Sequence, residues 1–229
     1  MHTVRVWDLP TRVFHWALVL CVAGLLITGN VGGNAMVWHG RLGYAVLTLL
    51  LFRLVWGLLG GHWSRFATFA YRPSQVLAYL RGRGPFEHSV GHTPLGALSV
   101  WTLLLVLLAQ VGSGLFADDE IAFSGPLAAL VSGDWVGDAT RYHKNVGKFL
   151  LLGLVGLHLA ALVFYRVVRQ QVLVKPMIVG DKRLVQGVPS SQDNTRSRLL
   201  ALVVLLICCG LVYAIVSLGD GSWPASGFG

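Results

Sequence analysis

Five stretches of mostly apolar residues dominate this chain of 229 residues: 13–29, 42–60 (interrupted by Arg53), 95–117, 146–168 and 199–218. Each is close to the roughly 20 residues a helix needs to cross a hydrocarbon core. Unpaired backbone groups are too costly in lipid for irregular chain to cross, so each stretch is expected to be a helix. Composition agrees, with 55% hydrophobic and 12% charged residues, against roughly 25% charged in a soluble domain. A disordered chain is excluded on these grounds, and a soluble enzyme of ordinary composition is not expected. Cys21, Cys208 and Cys209 all fall in apolar stretches and form no C-x-x-C or C-x-x-C-H pattern. A disulfide scaffold, a zinc ribbon and covalently attached haem therefore have no support.

The formal charge of +8 is sorted between alternate connections. Arg5 and Arg12 precede the first stretch, Arg65, Arg72, Arg81 and Arg83 follow the second, and Arg166, Arg169, Lys175, Lys182, Arg183, Arg196 and Arg198 follow the fourth. The other side has Arg41, Arg141 and Lys144 against Asp118, Asp119, Glu120, Asp134, Asp138 and Asp220. Basic loops stay inside, which predicts a cytoplasmic N-terminus and an external C-terminus. The basic excess is thus a topology signal, and no nucleic-acid partner is expected. No A-x-A site follows Ile27, and His15 and Trp16 interrupt the first apolar run, so it is read as a span and not a cleaved leader. Residues 73–80 read as a short amphipathic helix opened by Pro73. The polar, turn-rich residues 186–198 read as a cytoplasmic linker. The tryptophans Trp7, Trp16, Trp38, Trp56, Trp63, Trp101, Trp135 and Trp223 read mostly as an interfacial belt.

Ionisable residues in spans are functional candidates by default. Of eight histidines, His2, His62 and His88 fall in loops and His92 at the mouth of the third span. His15 lies near the cytoplasmic start of the first span, and His39 and His143 lie at the outer starts of the second and fourth. His158 follows His143 by 15 residues, about 22 Å along an ideal helix and about 60° around it. His15 should therefore meet His158 at the inner depth, and His39 should meet His143 at the outer depth. Two histidine pairs on facing helices match the axial needs of two b-type haems. A flat porphyrin needs small neighbours, and Gly43 and Gly147 stand one turn after His39 and His143. Arg41, Lys144 and Lys148 are candidate partners for outer propionates. Arg53 either serves the inner haem or snorkels to the interface.

The segment VRVWDLPTRVFHW at residues 4–16 resembles the opening of the bacterial cytochrome b-561 and hydrogenase-type b-cytochrome family. So do FRLVWG at 52–57, SRF at 64–66, GHTPLG at 91–96, GLF at 114–116, YH at 142–143, GLH at 156–158 and PMIVGDKR at 176–183. The resemblance implies an all-α membrane four-helix bundle over residues 1–185 holding two b haems (iron) on His15, His39, His143 and His158. Residues 199–229 then add a fifth transmembrane helix and a short outer tail. It also implies electron transfer in the bacterial inner membrane between the quinone pool and an extracytoplasmic c-type cytochrome or dehydrogenase subunit. Lys144, Thr93 and Asp181 depart from the family's usual residues, which bears on the partner and on any quinone or quinol site. Two alternatives remain: an oxidoreductase acting on superoxide or ferric iron at the outer haem, and a membrane anchor for a hydrogenase-like complex.

Overall fold

Polar residues just ahead of three of the apolar stretches decide where their helices begin. Asp8 accepts a 2.8 Å hydrogen bond from the Thr11 amide and opens helix α1, Leu9–Val31. Thr93 caps α4, Pro94–Phe116, by accepting from the Gly96 amide at 3.1 Å, with Pro94 in the first turn. Asn194 does the same for α8, Thr195–Gly219, through the Ser197 amide at 2.9 Å. Such caps each stabilise a helix by about 1 kcal/mol, and Pro suits the first turn because its missing N–H is not needed there. Helix α2, Ala35–Leu59, follows a turn in which Gly32 and Gly33 take φ of +68° and +53°, open to glycine without strain. Helices α1 and α8 start four residues ahead of their apolar stretches, because their caps and not hydropathy set their ends, and α2 starts seven ahead, just after the glycine turn.

The computed structural model describes residues 1–121 and 123–219. Among the described residues, five helical segments are long and apolar enough to cross a membrane: α1, α2, α4, the continuous segment Gly133–Val167, and α8. The chain is an all-α, multi-pass membrane protein. The fourth segment is compound, running from α5 (Gly133–Arg141) through a π-helical turn (Tyr142–Gly147) into α6 (Lys148–Val167). Helix α3 covers Pro73–Leu80 with Pro73 at its start, as the sequence predicts, and Val174–Val179 form α7. Asp220 and Trp223 lie outside the described residues.

Contacts divide the chain into two compact units, with every unit boundary inside a long helix. The first comprises Met1–Trp16, Phe52–Leu104 and Gly153–Val204. Here two strands that apolar periodicity does not reveal, β1 (His2–Arg5) and β2 (Asp181–Leu184), pair antiparallel with Arg5 opposite Asp181. Arg5 is also ion-paired to Asp181 at 2.5 Å, so the acid in the basic tract is matched across the register. Val4, Val6, Trp7, Trp63, Val90 and Leu184 pack beneath this sheet. Fully buried Asp8 also accepts from the Trp56 indole (3.2 Å), the Gly61 amide (2.9 Å) and the Ser64 hydroxyl (2.8 Å). Trp7, Trp56 and Trp63 are thus core residues, whereas Trp38 and Trp135 are exposed. His88, read as a loop residue, is buried against the Tyr71 ring.

The polar tract before α8 is docked through specific bonds. Ser191 donates its amide to the Arg5 carbonyl and its hydroxyl to the Val6 carbonyl, both at 2.7 Å. Ser191 also accepts the Trp63 amide, while the Trp63 indole donates to the Pro189 carbonyl. Asp193, its side chain almost wholly enclosed, pairs with Arg5 (2.6 Å), Arg198 (2.8 Å) and Arg12 (3.8 Å). Burial opposes charge on Asp193, but hydrogen bonds from Arg198, the Leu9 amide and Arg5 prevail and hold its carboxyl below the usual range.

Among the described residues, the second unit comprises Ala17–Leu51, Leu105–Leu152 and the rest of α8 from Leu205. Its connection from α4 to α5 is closed by a bridge between Asp118 and Ser124, and Asp119 accepts the Ile121 and Phe123 amides. Gly40 lies against Phe123, whose ring a Cβ there would meet at 2.9 Å.

Candidate functional site

His39 enters from the second turn of α2 and His143 from the π turn, and both reach one cavity of the second unit. Their ring centroids are 6.0 Å apart with planes at 83°. Two imidazoles on opposite sides of one metal, with bonds of about 2.0–2.1 Å and ring nitrogens about 1.1 Å from their centroids, would stand about 6 Å apart. Each Nδ1 is held by a main-chain carbonyl: His39 by Leu25 at 3.1 Å and His143 by Gln110 at 2.8 Å. Carbonyls can only accept, so each Nδ1 carries the proton and each Nε2 keeps its lone pair for a metal.

The two halves of this arrangement repeat one device. Gly29 stands four residues after Leu25, and a Cβ there would lie 3.0 Å from the His39 ring. Gly114 stands four residues after Gln110, and a Cβ there would lie 3.0 Å from the His143 ring. The residue before each glycine adds a hydroxyl: Thr28 lies 3.3 Å from His39 Nδ1 and Ser113 lies 3.4 Å from His143 Nδ1. The sequence reading missed these supports, and their signal was a repeated hydroxyl–glycine dipeptide, Thr28-Gly29 and Ser113-Gly114, near the ends of α1 and α4.

The cavity measures about 460 Å³ and is lined mainly by apolar side chains, with Lys144 and Lys148 among its few cations. That is within the roughly 300–1,000 Å³ of cofactor sites. Gly43 faces it, with open space where a Cβ would point. Gly147 has another role, since the Gln110 side chain fills the space beside it. Lys148 donates to Asn30 at 3.1 Å, and exposed Arg41 stacks over Trp38 at 5.1 Å and does not line the cavity. A second, open cavity mixes Asp118 and Glu120 with Arg141 and Lys144.

In the first unit, His15 and His158 are within electrostatic reach of each other, and His15 packs edge-on against Trp16. The Trp16 indole and Arg12 donate to the carbonyls of Met177 and Ile178, so α7 fixes the turn of α1 that carries His15. Arg53 is 3% exposed and does not snorkel. Its Nη2 donates to the Ser64 carbonyl at 3.0 Å, its guanidinium covers Phe66, and its Nη1 is enclosed without a hydrogen-bond partner. The Nδ1 atoms of His15 and His92 are likewise enclosed and unpartnered. His92 sits between Trp7 and Phe69, and burial, aided by nearby Arg53 and His15, holds its imidazole neutral with a pKa of about 3. A buried guanidinium with a free donor, beside imidazoles with unused nitrogens, fits an anionic metal cofactor, because unsatisfied buried donors are costly.

The chain is 25% identical over 214 residues to a "Probable Ni/Fe-hydrogenase B-type cytochrome subunit" of Bradyrhizobium diazoefficiens, covering 79% of this chain and 86% of that protein. It is 24% identical over 224 residues to a "Probable Ni/Fe-hydrogenase 1 B-type cytochrome subunit" of Escherichia coli K12, covering 83% and 95%. A relative with the first of these names in Azotobacter chroococcum is 26% identical over 212 residues, covering 77% and 87%. No solved structure matches the chain significantly. The family described as Prokaryotic cytochrome b561 matches residues 6–180, a span containing both histidine pairs, and the chain belongs to that family.

Proposed function

We propose that the chain holds two b haems, one on His39 and His143 and the other on His15 and His158, and carries electrons between the quinone pool and an extracytoplasmic redox protein. Haem b and membrane electron transfer come with the family; the haem count, ligands, direction and partners are the proposal. The observation that carries it is the outer pair, two imidazoles 6.0 Å apart with both Nδ1 protons committed to carbonyls. When bound, haem b supplies reversible one-electron chemistry at iron. The Leu25 and Gln110 carbonyls hold the ligand tautomers, and Gly29 and Gly114 give the rings room. Lys144 and Lys148 offer cations to propionates at the outer site, and Arg53 Nη1 offers one at the inner site. The cavity wall is mainly apolar.

Charge sorting supports a cytoplasmic N-terminus and a periplasmic C-terminus in the inner membrane. Residues 1–185 form the di-haem domain of this reading, 186–198 lead into the added helix, and 199–229 complete it. The names of the relatives support an enzyme complex, hydrogenase-like in the second reading, as the redox partner. The exposed carboxylates of Glu120, Asp134 and Asp138 support docking of a basic protein such as a c-type cytochrome on the outer side.

The test is the haem-to-protein ratio and reduced-minus-oxidised spectrum of purified full-length protein. The wild type should hold two low-spin haems, with His39→Ala removing one and His158→Ala the other. Retention of two low-spin haems by either variant refutes the pairing.

A further inference from the structure

We propose that Gln110 is a positioning residue that sets the entry angle of the His143 imidazole by wedging its amide into the π turn at Gly147. The inference rests on reading His39 and His143 as an axial pair.

One residue grips His143 at two places. The Gln110 main-chain carbonyl accepts from His143 Nδ1 at 2.8 Å, and its side-chain Nε2 donates to the His143 carbonyl at 3.0 Å. In an α-helix that carbonyl would be served by the amide of residue 147, four positions on. Here Tyr142–Gly147 is π-helical, its hydrogen bonds reaching five positions on, a form found mostly as single turns at functional sites. Such a turn is rarer than α-helix, and the Gln110 amide adds a hydrogen bond to it from outside the helix.

Gly147 is what admits that partner. It is buried, and a Cβ there would overlap Gln110 Oε1 and crowd the Tyr142 ring at 2.9 Å. Gln110 Oε1 itself is enclosed without a hydrogen-bond partner. An acceptor left unsatisfied is unfavourable, so the side chain is held by the Nε2 bond and the shape of the gap. Without the amide, the turn is free to relax toward α-helical pairing. That would rotate His143 about the helix axis relative to the Gln110 and Ser113 acceptors that define its ring orientation.

Three variants of the full-length chain, purified with haem, test this against the wild type: Gln110→Met, Gly147→Ala, and Gln110→Ala with Gly147→Ala. The readouts are the low-spin electron paramagnetic resonance signal, which reports the angle between ligand planes, and the midpoint potential of each haem. The haem that His39→Ala removes is the one expected to respond. Gln110→Met, close in shape but without the amide, should shift that haem's signal and potential and leave the other haem unchanged. Gly147→Ala should lower the occupancy of that haem. Adding Gln110→Ala should restore occupancy, because the clashing side chain is gone, while leaving the signal shifted as in Gln110→Met, because the amide is gone too. A glycine needed only for backbone freedom would not be rescued. The proposal is overturned if Gln110→Met leaves both haems unchanged, or if the double variant is no better than Gly147→Ala alone. If Gln110→Met does not fold, the comparison of the other two decides. Two low-spin haems surviving in both His39→Ala and His143→Ala would instead overturn the axial-pair reading.

Discussion

Replacing Gly114 with alanine should weaken haem binding at the outer site without unfolding the chain. The added Cβ would lie 3.0 Å from Cε1 and 3.2 Å from Nδ1 of His143. Carbon pairs prefer about 3.5–4.0 Å, so relief requires the ring to retreat by about 0.5 Å. That retreat is at the expense of the 2.8 Å bond from Nδ1 to the Gln110 carbonyl, and it swings Nε2 off its line. Overpacking of this kind costs about 1–3 kcal/mol. The haem-free chain can relieve the contact by letting the ring retreat, so the cost falls on the haem-bound state. At about 1.4 kcal/mol per tenfold, haem affinity should fall by up to roughly 150-fold. The helix itself gains up to about 1 kcal/mol from exchanging glycine for alanine. That gain is the same with and without haem, so it cancels from the affinity. Gly29→Ala should act alike on His39, where the Cβ also falls 3.0 Å from the ring. The assay is haem titration of the purified variant, with the inner haem as internal control. If both alanine variants bind two low-spin haems with wild-type affinity, the glycines do not make room for ligand rings and the argument fails.

Arg53→Leu should lower the midpoint potential of the haem lost in His158→Ala by tens of millivolts, the scale of one unit charge at protein dielectric; unchanged potentials in redox titration would detach Arg53 from that site. Asp193→Asn should loosen the tract before α8 and lower thermal stability by about 2 kcal/mol, below the 3–5 kcal/mol of a fully buried pair because Arg5 and Arg198 are part-exposed. The Asp193 carboxyl is held down in the folded chain, so its stabilisation is complete above roughly pH 4, the unfolded value, and disappears as pH falls through the lower folded value. Wild-type melting temperature should therefore converge on that of the variant in acid, and a constant gap would refute it. Neutralising Glu120, Asp134 and Asp138 to amides should slow electron exchange with a basic c-type cytochrome at low salt and flatten its salt dependence, with stopped-flow rates as the check.

Hydropathy and charge, properties of residues taken in order, determined the five spans, because lipid leaves a 20-residue apolar run no other course. Helical arithmetic also brought His39 and His143 to the same depth. It assumed an ideal helix through His143, however, and the π turn there depends on Gln110, 33 residues away. The same limit explains the other misses. The strands at either end of the matched region are four residues each, too short for periodicity to register, and exist because Arg5 and Asp181 meet in register. Residues 186–198 read as linker because they are polar, yet Pro189, Ser191 and Asp193 within them satisfy backbone and arginine partners that only the fold brings to them. Arg53 was ambiguous in sequence between interface and interior. Tertiary packing decided it, since the Ser64 carbonyl and Phe66 ring enclose the guanidinium. Spans follow from transfer free energies that are local to each segment. Ligand tautomers, ring angles and buried charge follow from pairings between distant residues, and those come into being only when the chain has folded.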